Sequence, residues 1–275
     1  MKKTALLLTF LICNLIAFAK VKDIRSLGKA DICVVFKRTM VLDTITPDEY
    51  FRIDNLTLMA GKDGSAFYSE DRKKDLEMSD NNKEYFLQKY SDPKIFRKTA
   101  MFEKEAIFRD YKQNVCIVHQ SYDITSWELT EEIEKPEWEI GDSIINILGY
   151  ECIKATTVFR GRTWTAFFSP EIPIPDGPWK LCGLPGMILK AYDKKNEYCY
   201  EAIALNTKEL GDVEFYNYYD RLKIKDRKEG LKDRKKSMSQ DMTSKVNAIT
   251  GLNLDVTSAK KPTKQKRYDF EETDY

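Results

Sequence analysis

Short runs of β-branched and aromatic residues, separated by turn-forming residues, recur along most of the chain. The first run is 32–40, and the runs at 53–59 and 65–68 then flank a glycine-containing turn at 61–64. Runs of this kind on either side of a short polar turn are typical of β-hairpins. The chain is therefore predicted to begin with antiparallel strand pairing.

The same pattern predicts three further hairpins. Their strand pairs are 102–108 with 115–121, 152–159 with 163–168, and 187–192 with 197–205. A run at 124–129 is expected to extend the strand that ends at 121, and two short runs surround Gly141 and Asp142. Consecutive short strands with tight turns predict a mainly β fold, an antiparallel meander that forms a curved half-barrel or a sandwich.

Two segments interrupt the strand pattern. Residues 71–90 are charged with sparse apolar positions, which predicts an inserted surface helix or a loop with helical turns. Beyond 210, tyrosines and leucines precede a stretch rich in lysine and arginine, which suits one or two amphipathic helices with a solvated basic face, or one that contacts a membrane surface or an acidic partner. The predicted units are an antiparallel β domain at 20–210, a basic amphipathic helical segment at 211–250 and a flexible tail with an aromatic and acidic terminus at 251–275.

The first nineteen residues have the pattern of a cleaved secretory signal peptide. Lys2 and Lys3 precede an apolar run at 5–18, and Ala17 and Ala19 are the small residues expected at the cleavage site. The run is shorter than the roughly 20 apolar residues that span a bilayer, and no later segment approaches that length. An exported protein of the periplasm, the outer membrane or the cell surface is therefore expected.

Charge and cysteine content narrow the classes of partner and of covalent structure. Removal of Lys2 and Lys3 from 45 basic residues leaves 43 against 44 acidic ones, so nucleic acid and bulk anionic membrane are not the implied partners. Five cysteines remain, which permits one or two disulfides, or buried free thiols. They are Cys33, Cys116, Cys152, Cys182 and Cys199.

Prolines are concentrated in one short stretch, where five of the nine lie between Pro170 and Pro185. Each proline fixes φ and disfavours helical geometry before it, so 169–178 is predicted to be a stiff, polyproline-like connector. At 184–187, proline in the second position and glycine in the third predict a type II turn. The stretch 170–186 is thus a rigid crossover between the hairpin at 160–162 and the strand that starts at Met187.

Five short motifs follow one another in the second half of the chain: GYECIKA at 149–155, FRGRTW at 159–164, EIP at 171–173, GPWK at 177–180 and GLPGMIL at 183–189. In order and spacing they resemble the GLPGLI family of secreted Bacteroidetes proteins. The resemblance covers about 138–206 and resumes at 267–271, with Met187 as a volume-conserving replacement for leucine. It implies export and a β-rich fold, and it implies no established reaction. The motif residues with an expected structural role are Pro173, Pro175, Gly177, Pro178, Gly183, Leu184, Pro185 and Gly186.

The single histidine, His119, limits the catalytic chemistry available to the chain. Zinc sites with two or three histidines are excluded within one chain. A nucleophile that uses a histidine base must use His119, and Cys182 is the best-placed candidate; the alternative for Cys182 is a small apolar filler or half of a disulfide. No catalytic residue, metal ligand or cofactor is assigned.

Two groups of residues are candidates for ligand binding. Arg160 and Arg162 flank a single glycine on a short turn, where they could clamp a carboxylate or phosphate or remain solvated. Trp164, Trp179 and Tyr192 near the proline stretch could form a stacking platform, or they could cap the core.

These features together predict a non-catalytic exported envelope protein. Its β scaffold is expected to bind a hydrophobic ligand, a peptide or an outer-membrane partner, with 170–186 ordering one rim of the site. Two alternatives remain: a hydrolase that uses Cys182 or a serine with His119, and a structural component of the envelope. No cofactor and no nucleic-acid partner is expected.

Overall fold

The computed structural model describes residues 22–43, 51–122, 125–239 and 270–275. The predicted signal peptide, the apolar positions predicted for a helix at 242–249 and the part of the tail before Phe270 lie outside the described residues. The strands are β1 (Asp23–Lys29), β2 (Ile32–Val41), β3 (Phe51–Ala60), β4 (Gly64–Tyr68), β5 (Ala106–Asp110), β6 (Val115–Tyr122), β7 (Thr125–Glu132), β8 (Glu139–Ile147), β9 (Tyr150–Phe159), β10 (Arg162–Ser169), β11 (Met187–Asp193), β12 (Tyr198–Asn206), β13 (Asp212–Asn217) and β14 (Leu222–Ile224). The helices are α1 (Glu70–Asn81), α2 (Lys83–Ser91), α3 (Pro93–Ala100) and α4 (Arg227–Ser239).

Twelve of these strands form one large open sheet. Their order is β14-β7-β6-β5-β4-β3-β2-β12-β11-β10-β9-β8, and β1 pairs with β13 in a separate two-stranded sheet. Within the described residues every strand pair is antiparallel except β14 with β7. The prediction of a mainly β, antiparallel meander with an inserted helical region and a C-terminal helix is confirmed.

The predicted hairpins form, with one difference at 124–129. Strands β3 and β4, β5 and β6, β9 and β10, and β11 and β12 all pair as predicted. The run at 124–129 was expected to extend β6, and this is wrong. Tyr122 pairs with Thr125 and Ser121 with Ser126, so β7 returns antiparallel alongside β6. The pattern of apolar residues is the same for an extension of β6 and for a separate antiparallel strand. Only the reversal of the chain distinguishes the two arrangements.

The β structure also continues beyond 210, where the sequence predicts helix. In β13 the side chains of Val213, Phe215 and Tyr216 are buried, and β14 follows before α4 begins at Arg227. The sequence pattern did not indicate β1, which is the partner of β13. Aromatic residues at this spacing are compatible with either a helix or a strand, and the pairing with β1 selects the strand.

Alternation along the strands gives the large sheet two different faces. Val34 and Phe36 of β2 and Val118 of β6 lie in one core, together with Leu181 from the stretch 170–186. We call 170–186 the connector and this side of the sheet the connector face. Phe108 of β5 lies in a second core beneath β1 and β13, on the opposite face.

The connector is a series of tight turns, in contrast to a polyproline helix, which has no internal hydrogen bonds. The amide of Ile174 donates to the carbonyl of Ile172 (2.7 Å), and that of Asp176 donates to Ile174 (2.8 Å). Bonds between residues i and i+2 define γ-turns, here centred on Pro173 and Pro175. The prolines therefore make the connector compact while still limiting its flexibility.

The predicted type II turn at 184–187 is likewise replaced by a γ-turn. The amide of Gly186 donates to the carbonyl of Leu184 (2.8 Å), whereas the amide of Met187 donates to Ile172 (2.9 Å). A Cβ on Gly186 would lie 2.1 Å from the carbonyl oxygen of Ser169. Glycine is thus required here because two segments of backbone pass in contact.

A buried ion pair holds the connector on the sheet. Asp176 is fully buried and lies 3.0 Å from Nη1 of Arg109 on β5. Arg109 also donates to the carbonyl oxygen of Trp179, and Tyr111 donates to Asp176. The adjacent Gly177 has no room for a side chain, because a Cβ there would lie 2.7 Å from Cβ of Ile188.

Two further findings concern covalent structure and membrane insertion. The cysteines at 33, 116, 152, 182 and 199 are all free thiols, so the described residues contain no disulfide. No helix in the described ranges combines the length and apolar character needed to cross a bilayer.

Candidate functional site

The last six residues, 270–275, return to the folded domain and lie on the connector face. We call them the C-terminal segment; their sequence is FEETDY. Phe270, Glu271 and Glu272 are all buried. Charged residues are rarely buried without a partner, so two adjacent buried glutamates point to a specific set of cations around them.

Backbone contacts attach the segment to the turn between β9 and β10. Arg162 donates from Nε (2.9 Å) and Nη2 (2.6 Å) to the carbonyl of Phe270. The amide of Thr273 donates to the carbonyl of Arg160 (2.9 Å), and its hydroxyl donates to the carbonyl of Gly161 (3.0 Å). The contacts with the Phe270 carbonyl and the Thr273 amide hold the main chain of the segment whatever side chains it carries.

Gly161 permits this close approach. Its φ of +82° is in the region that glycine adopts readily, and a Cβ would lie 2.5 Å from Oγ1 of Thr273 and 2.8 Å from the amide of Asp274. The glycine therefore serves both the turn and the docking of the segment.

Each acidic side chain of the segment binds at least one cation. Glu271 lies 3.3 Å from Nη1 of the buried Arg38 and accepts a hydrogen bond from Tyr200 (3.3 Å). Glu272 lies 2.8 Å from Nζ of Lys180 and also accepts from Arg227.

At the end of the segment, Asp274 accepts two hydrogen bonds of 2.7 Å from Arg227 on α4. Such bidentate pairs fix orientation as well as charge.

These pairs determine the charge states of Lys180 and Glu272. Burial lowers the pKa of Lys180, but the carboxylates of Glu272 and Glu131 outweigh burial and raise it above its ordinary value. Burial raises the pKa of Glu272, but Lys180 and the nearby arginines outweigh it, so the pKa of Glu272 lies below its ordinary value. Both groups are charged at neutral pH, and the segment is bound as an anion.

Glu105 behaves differently from the other acids of the site. Burial and then the Glu271 carboxylate raise the pKa of Glu105 to about 8. Its carboxyl group accepts a hydrogen bond from Gln120 (2.8 Å). At neutral pH Glu105 is therefore mostly protonated, and this reduces its repulsion of Glu271.

Phe270 contacts a cation and lines a small pocket in the groove. Arg234 of α4 lies over the ring, with its guanidinium carbon 4.1 Å from the centroid. Phe270 lines the pocket together with the apolar residues Val118, Trp127, Leu129, Trp179 and Leu231 and with charged residues that include Glu105, Lys180 and Arg227. The space that remains has a volume of about 10 Å³, enough for about one water molecule. The segment thus nearly fills the groove.

The structure brings Arg160 and Arg162 together at this segment. The side chain of Arg160 lies 2.8 Å from Glu134 and 3.9 Å from Glu272. Arg162 lies 2.6 Å from Glu197, and it binds the segment through a carbonyl group, not a carboxylate. Both side chains are buried, so the alternative of two solvated arginines does not apply.

The aromatic candidates lie in the core and form no exposed platform. Trp164 and Trp179 are fully buried, with ring centroids 5.5 Å apart, and Tyr192 is partly buried against the same core. Only Trp179 lines the pocket that holds Phe270. Trp164 therefore agrees with the alternative interpretation, in which these rings cap the core.

Cys182 and His119 lie on opposite faces of the sheet. Cys182 is in the connector, where its thiol donates to the carbonyl of Glu134 (3.8 Å) and burial raises its pKa to about 11. His119 packs against the rings of Phe108 and Phe215, at centroid distances of 5.2 Å and 5.4 Å, beneath β1 and β13. The two side chains are therefore not arranged as a nucleophile and its base.

His119 is instead paired with a carboxylate. Its Nε2 lies 2.9 Å from Glu128, and burial lowers the pKa of His119 to about 4. Ser121, two positions further along β6, forms its hydroxyl hydrogen bonds with Ser126 (2.9 Å) and Tyr219 (3.2 Å). Within the described residues, no three histidine, cysteine or acidic side chains are grouped so as to hold a metal ion.

Sequence reasoning did not single out three residues of the groove: Arg38, Lys180 and Arg227. The alternating pattern of β2 could have identified Arg38. It follows Val34 and Phe36 at the same two-residue spacing and so faces the same core. Lys180 lies within the GPWK motif. Nothing in the pattern distinguishes Arg227 from the other cations of α4.

No family model matches the chain, and neither does any curated protein. Among solved structures, the chain is similar to PNGF-II in two crystal forms. Identity is 14% in each, with TM-scores of 0.49 and 0.48 over 72% and 70% of this chain. The chain spans about a third of the length of PNGF-II, 32% and 31% of the two chains. A likeness of this size assigns no function.

Proposed function

We propose that this protein is a non-catalytic, exported envelope protein that binds an extended acidic peptide of a partner on the connector face. The peptide would occupy the groove that the C-terminal segment fills here. One observation carries the proposal: five largely buried cations surround six residues of peptide. These cations are Arg38, Arg160, Arg162, Lys180 and Arg227.

Buried cations make the groove selective for acidic ligands. A buried charge without its partner costs about 3–5 kcal/mol, so an apolar or basic peptide in the same place would be strongly disfavoured. Arg38, Arg160 and Arg162 keep other acidic neighbours when the segment leaves. Arg227 pairs only with Glu272 and Asp274 among the described residues. Acidity at these two ligand positions therefore matters most.

Two other features restrict the ligand to an extended peptide with an aromatic residue. Arg162 and the carbonyl of Arg160 bind main-chain atoms of the segment, which any peptide could supply. The pocket beneath Arg234 accepts the ring of Phe270, so an aromatic residue is favoured two positions before the acidic residue that Lys180 and Arg227 bind. The recognised pattern is an aromatic residue with acidic residues one, two and four positions after it.

Export and family membership form part of the same proposal. The signal-peptide pattern of 1–19 supports export, and the motif segments between 149 and 189 support membership of the GLPGLI family. Both are compatible with an envelope protein whose ligand is a peptide.

The test is an exchange experiment on the folded full-length mature chain. A protease recognition sequence is inserted after Lys260, the chain is cleaved, and a fluorescent FEETDY peptide is added. We expect the labelled peptide to replace the cleaved segment and to show raised fluorescence anisotropy. Replacement of the third residue of the peptide by glutamine should weaken binding by about tenfold or more, because a buried charge-assisted hydrogen bond contributes roughly 1.5–3 kcal/mol.

A matched pair of protein variants identifies the site. Lys180→Met should weaken peptide binding, whereas Lys112→Met, at an exposed lysine on a distant turn, should leave it unchanged. If the cleaved chain stays folded and releases its segment, yet takes up no labelled peptide, the groove is only an intramolecular anchor and the proposed function is wrong.

A further inference from the structure

Helices α2 and α3 carry a second surface with no covering element among the described residues. Four large apolar side chains are exposed on it: Leu87 (52% exposed), Tyr90 (47%), Phe96 (48%) and Met101 (66%). Exposed apolar residues are common when single, but a group of four on adjacent short helices is typical of an interaction surface.

Ring contacts make this surface continuous between the two helices. Phe86 lies 5.0 Å from Tyr90, and Tyr90 lies 6.1 Å from Phe96, between ring centroids. Met101 follows α3, and its carbonyl accepts a hydrogen bond from Arg52 of β3 (2.7 Å). We call the surface formed by 86–101 the helical apolar surface.

Tyr85 and Lys89 anchor α2 to the domain. Lys89 donates to both carboxylate oxygens of the buried Asp75 on α1, at 2.7 Å each, and Tyr85 donates to the same carboxylate (3.1 Å). Tyr85 and Lys89 are four residues apart, so they share one side of the helix. The anchored side fixes which side chains point outward.

Four cations lie on the same two helices as the apolar side chains. Lys83, Lys94, Arg97 and Lys98 are all exposed, and none forms an ion pair with another described residue. Many of the other basic side chains in the described ranges are paired, as in the groove. Unpaired cations beside exposed aromatic and aliphatic groups indicate a partner that is both anionic and apolar.

We propose that the helical apolar surface docks on a lipid bilayer that contains anionic headgroups. Short basic helices with Phe, Leu and Met on one side insert their apolar side chains at the headgroup boundary, and lysine and arginine stems extend to the phosphates. The near-neutral net charge of the chain does not oppose this, because attraction to an anionic surface acts locally, within about one Debye length of roughly 8–10 Å.

Lipid is favoured over a protein partner by the type of cation. Three of the four cations are lysines, and lysine is depleted from the cores of protein interfaces, where arginine is enriched. A bilayer surface, in contrast, accepts lysine and arginine alike as mobile charges. This surface and the peptide groove consist of different residues, so the two proposals can fail separately.

The test is co-sedimentation of the mature full-length chain, 20–275, with vesicles. We expect binding to vesicles of phosphatidylcholine mixed with phosphatidylglycerol, weaker binding to phosphatidylcholine alone, and loss of binding as salt increases. The triple variant Lys94→Gln, Arg97→Gln, Lys98→Gln should lower the partition coefficient by on the order of 100-fold, because each cation near an anionic surface contributes roughly fivefold. The double variant Leu87→Ser, Phe96→Ser should also weaken binding without a change in charge.

A control variant with the same change in charge uses exposed lysines elsewhere: Lys62→Gln, Lys208→Gln, Lys232→Gln. It should bind vesicles like the unmodified chain, and circular dichroism should show that all variants are folded. Equal loss of binding in the control and the triple variant would overturn the proposal, as would absence of binding to anionic vesicles. A concentration-dependent dimer in light scattering that disappears in the Leu87→Ser, Phe96→Ser variant would also overturn it, because the surface would then bind a second copy.

Discussion

Arg227 binds Asp274 through two hydrogen bonds of 2.7 Å, which join the start of helix α4 to the end of the chain, 47 positions later. Glu272 binds the same guanidinium group, so one arginine neutralises two of the three acidic residues in the C-terminal segment. Residues 240–269, between α4 and the C-terminal segment, lie outside the described residues, and this contact holds the segment against the connector face. The contribution of each residue to this attachment can be measured by substitution.

Asp274→Asn should destabilise the protein modestly. The bidentate pair is lost but Asp274 is partly exposed, so the expected decrease in the free energy of unfolding is about 1 kcal/mol. For a domain of this size the melting temperature should fall by about 2–4 °C. Glu201→Gln, which removes a partly exposed pair with Lys190, is the control and should change stability by about 0.5 kcal/mol or less. Equal effects of the two changes would contradict a special role for Arg227.

Lys180→Met should have a larger effect, because it removes a buried cation that pairs with both Glu131 and Glu272. Removal of one partner from a buried pair costs about 3–5 kcal/mol. The lower end is expected, since Arg227 still binds Glu272 and Arg160 remains 3.3 Å from Glu131. Urea unfolding measures the change, and Lys112→Met should be nearly neutral. A double variant Lys180→Met, Glu272→Gln should recover part of the loss, and no recovery would show that the two residues act independently.

Gly161→Ala and Gly149→Ala form a matched pair. Both glycines have φ in the left-handed region, +82° and +92°, so both variants incur strain of about 1–2 kcal/mol. A Cβ at 149 meets no atom within 4 Å, whereas a Cβ at 161 would overlap Thr273 and Asp274. Only Gly161→Ala should therefore speed release of the segment after cleavage in the exchange assay. The same release rate in both variants would mean that this turn does not hold the segment.

Because the pKa of Glu105 is raised on folding, the free energy of unfolding should decrease as the pH rises. Burial and the Glu271 carboxylate raise the pKa of Glu105 from 4.5 to about 8. Between these values the folded protein keeps a proton that the unfolded chain releases, so stability falls with rising pH, by at most about 1.4 kcal/mol per pH unit. The stabilising pairs of Glu103 and Glu272, whose pKa values are lowered, are already complete above pH 4.5.

Urea unfolding at several pH values inside this window checks the prediction. Glu105→Gln should flatten the pH dependence, because a neutral amide replaces a group that changes charge. Glu84→Gln, at an exposed position on α2, should leave the dependence unchanged. A slope that persists in Glu105→Gln would assign the effect to another group.

Much of the secondary structure could be predicted because it depends on local pattern. The hairpins around 61–64 and 160–162 follow from alternation and turn residues, which act over a few positions. The prolines located the connector, but its predicted polyproline-like geometry and type II turn are wrong, because the choice between turn types depends on hydrogen bonds to Ile172 and to the next strand. Strand β7 shows the same limit, since its apolar run fits either an extension of β6 or a reversal.

The groove could be predicted only in part. Arg160 and Arg162 were recognised as a pair from their spacing, but their ligand, 108 or more positions away, was not. Arg38 and Glu271 are 233 positions apart, and no periodicity connects residues at that distance. The sequence by itself determined most of the hairpin strands, the position of the proline-rich connector and the acidic, aromatic character of the last six residues, because these depend on local sterics and composition. Only the tertiary structure decided that those residues fill a cationic groove, because that depends on which buried charges the fold brings together.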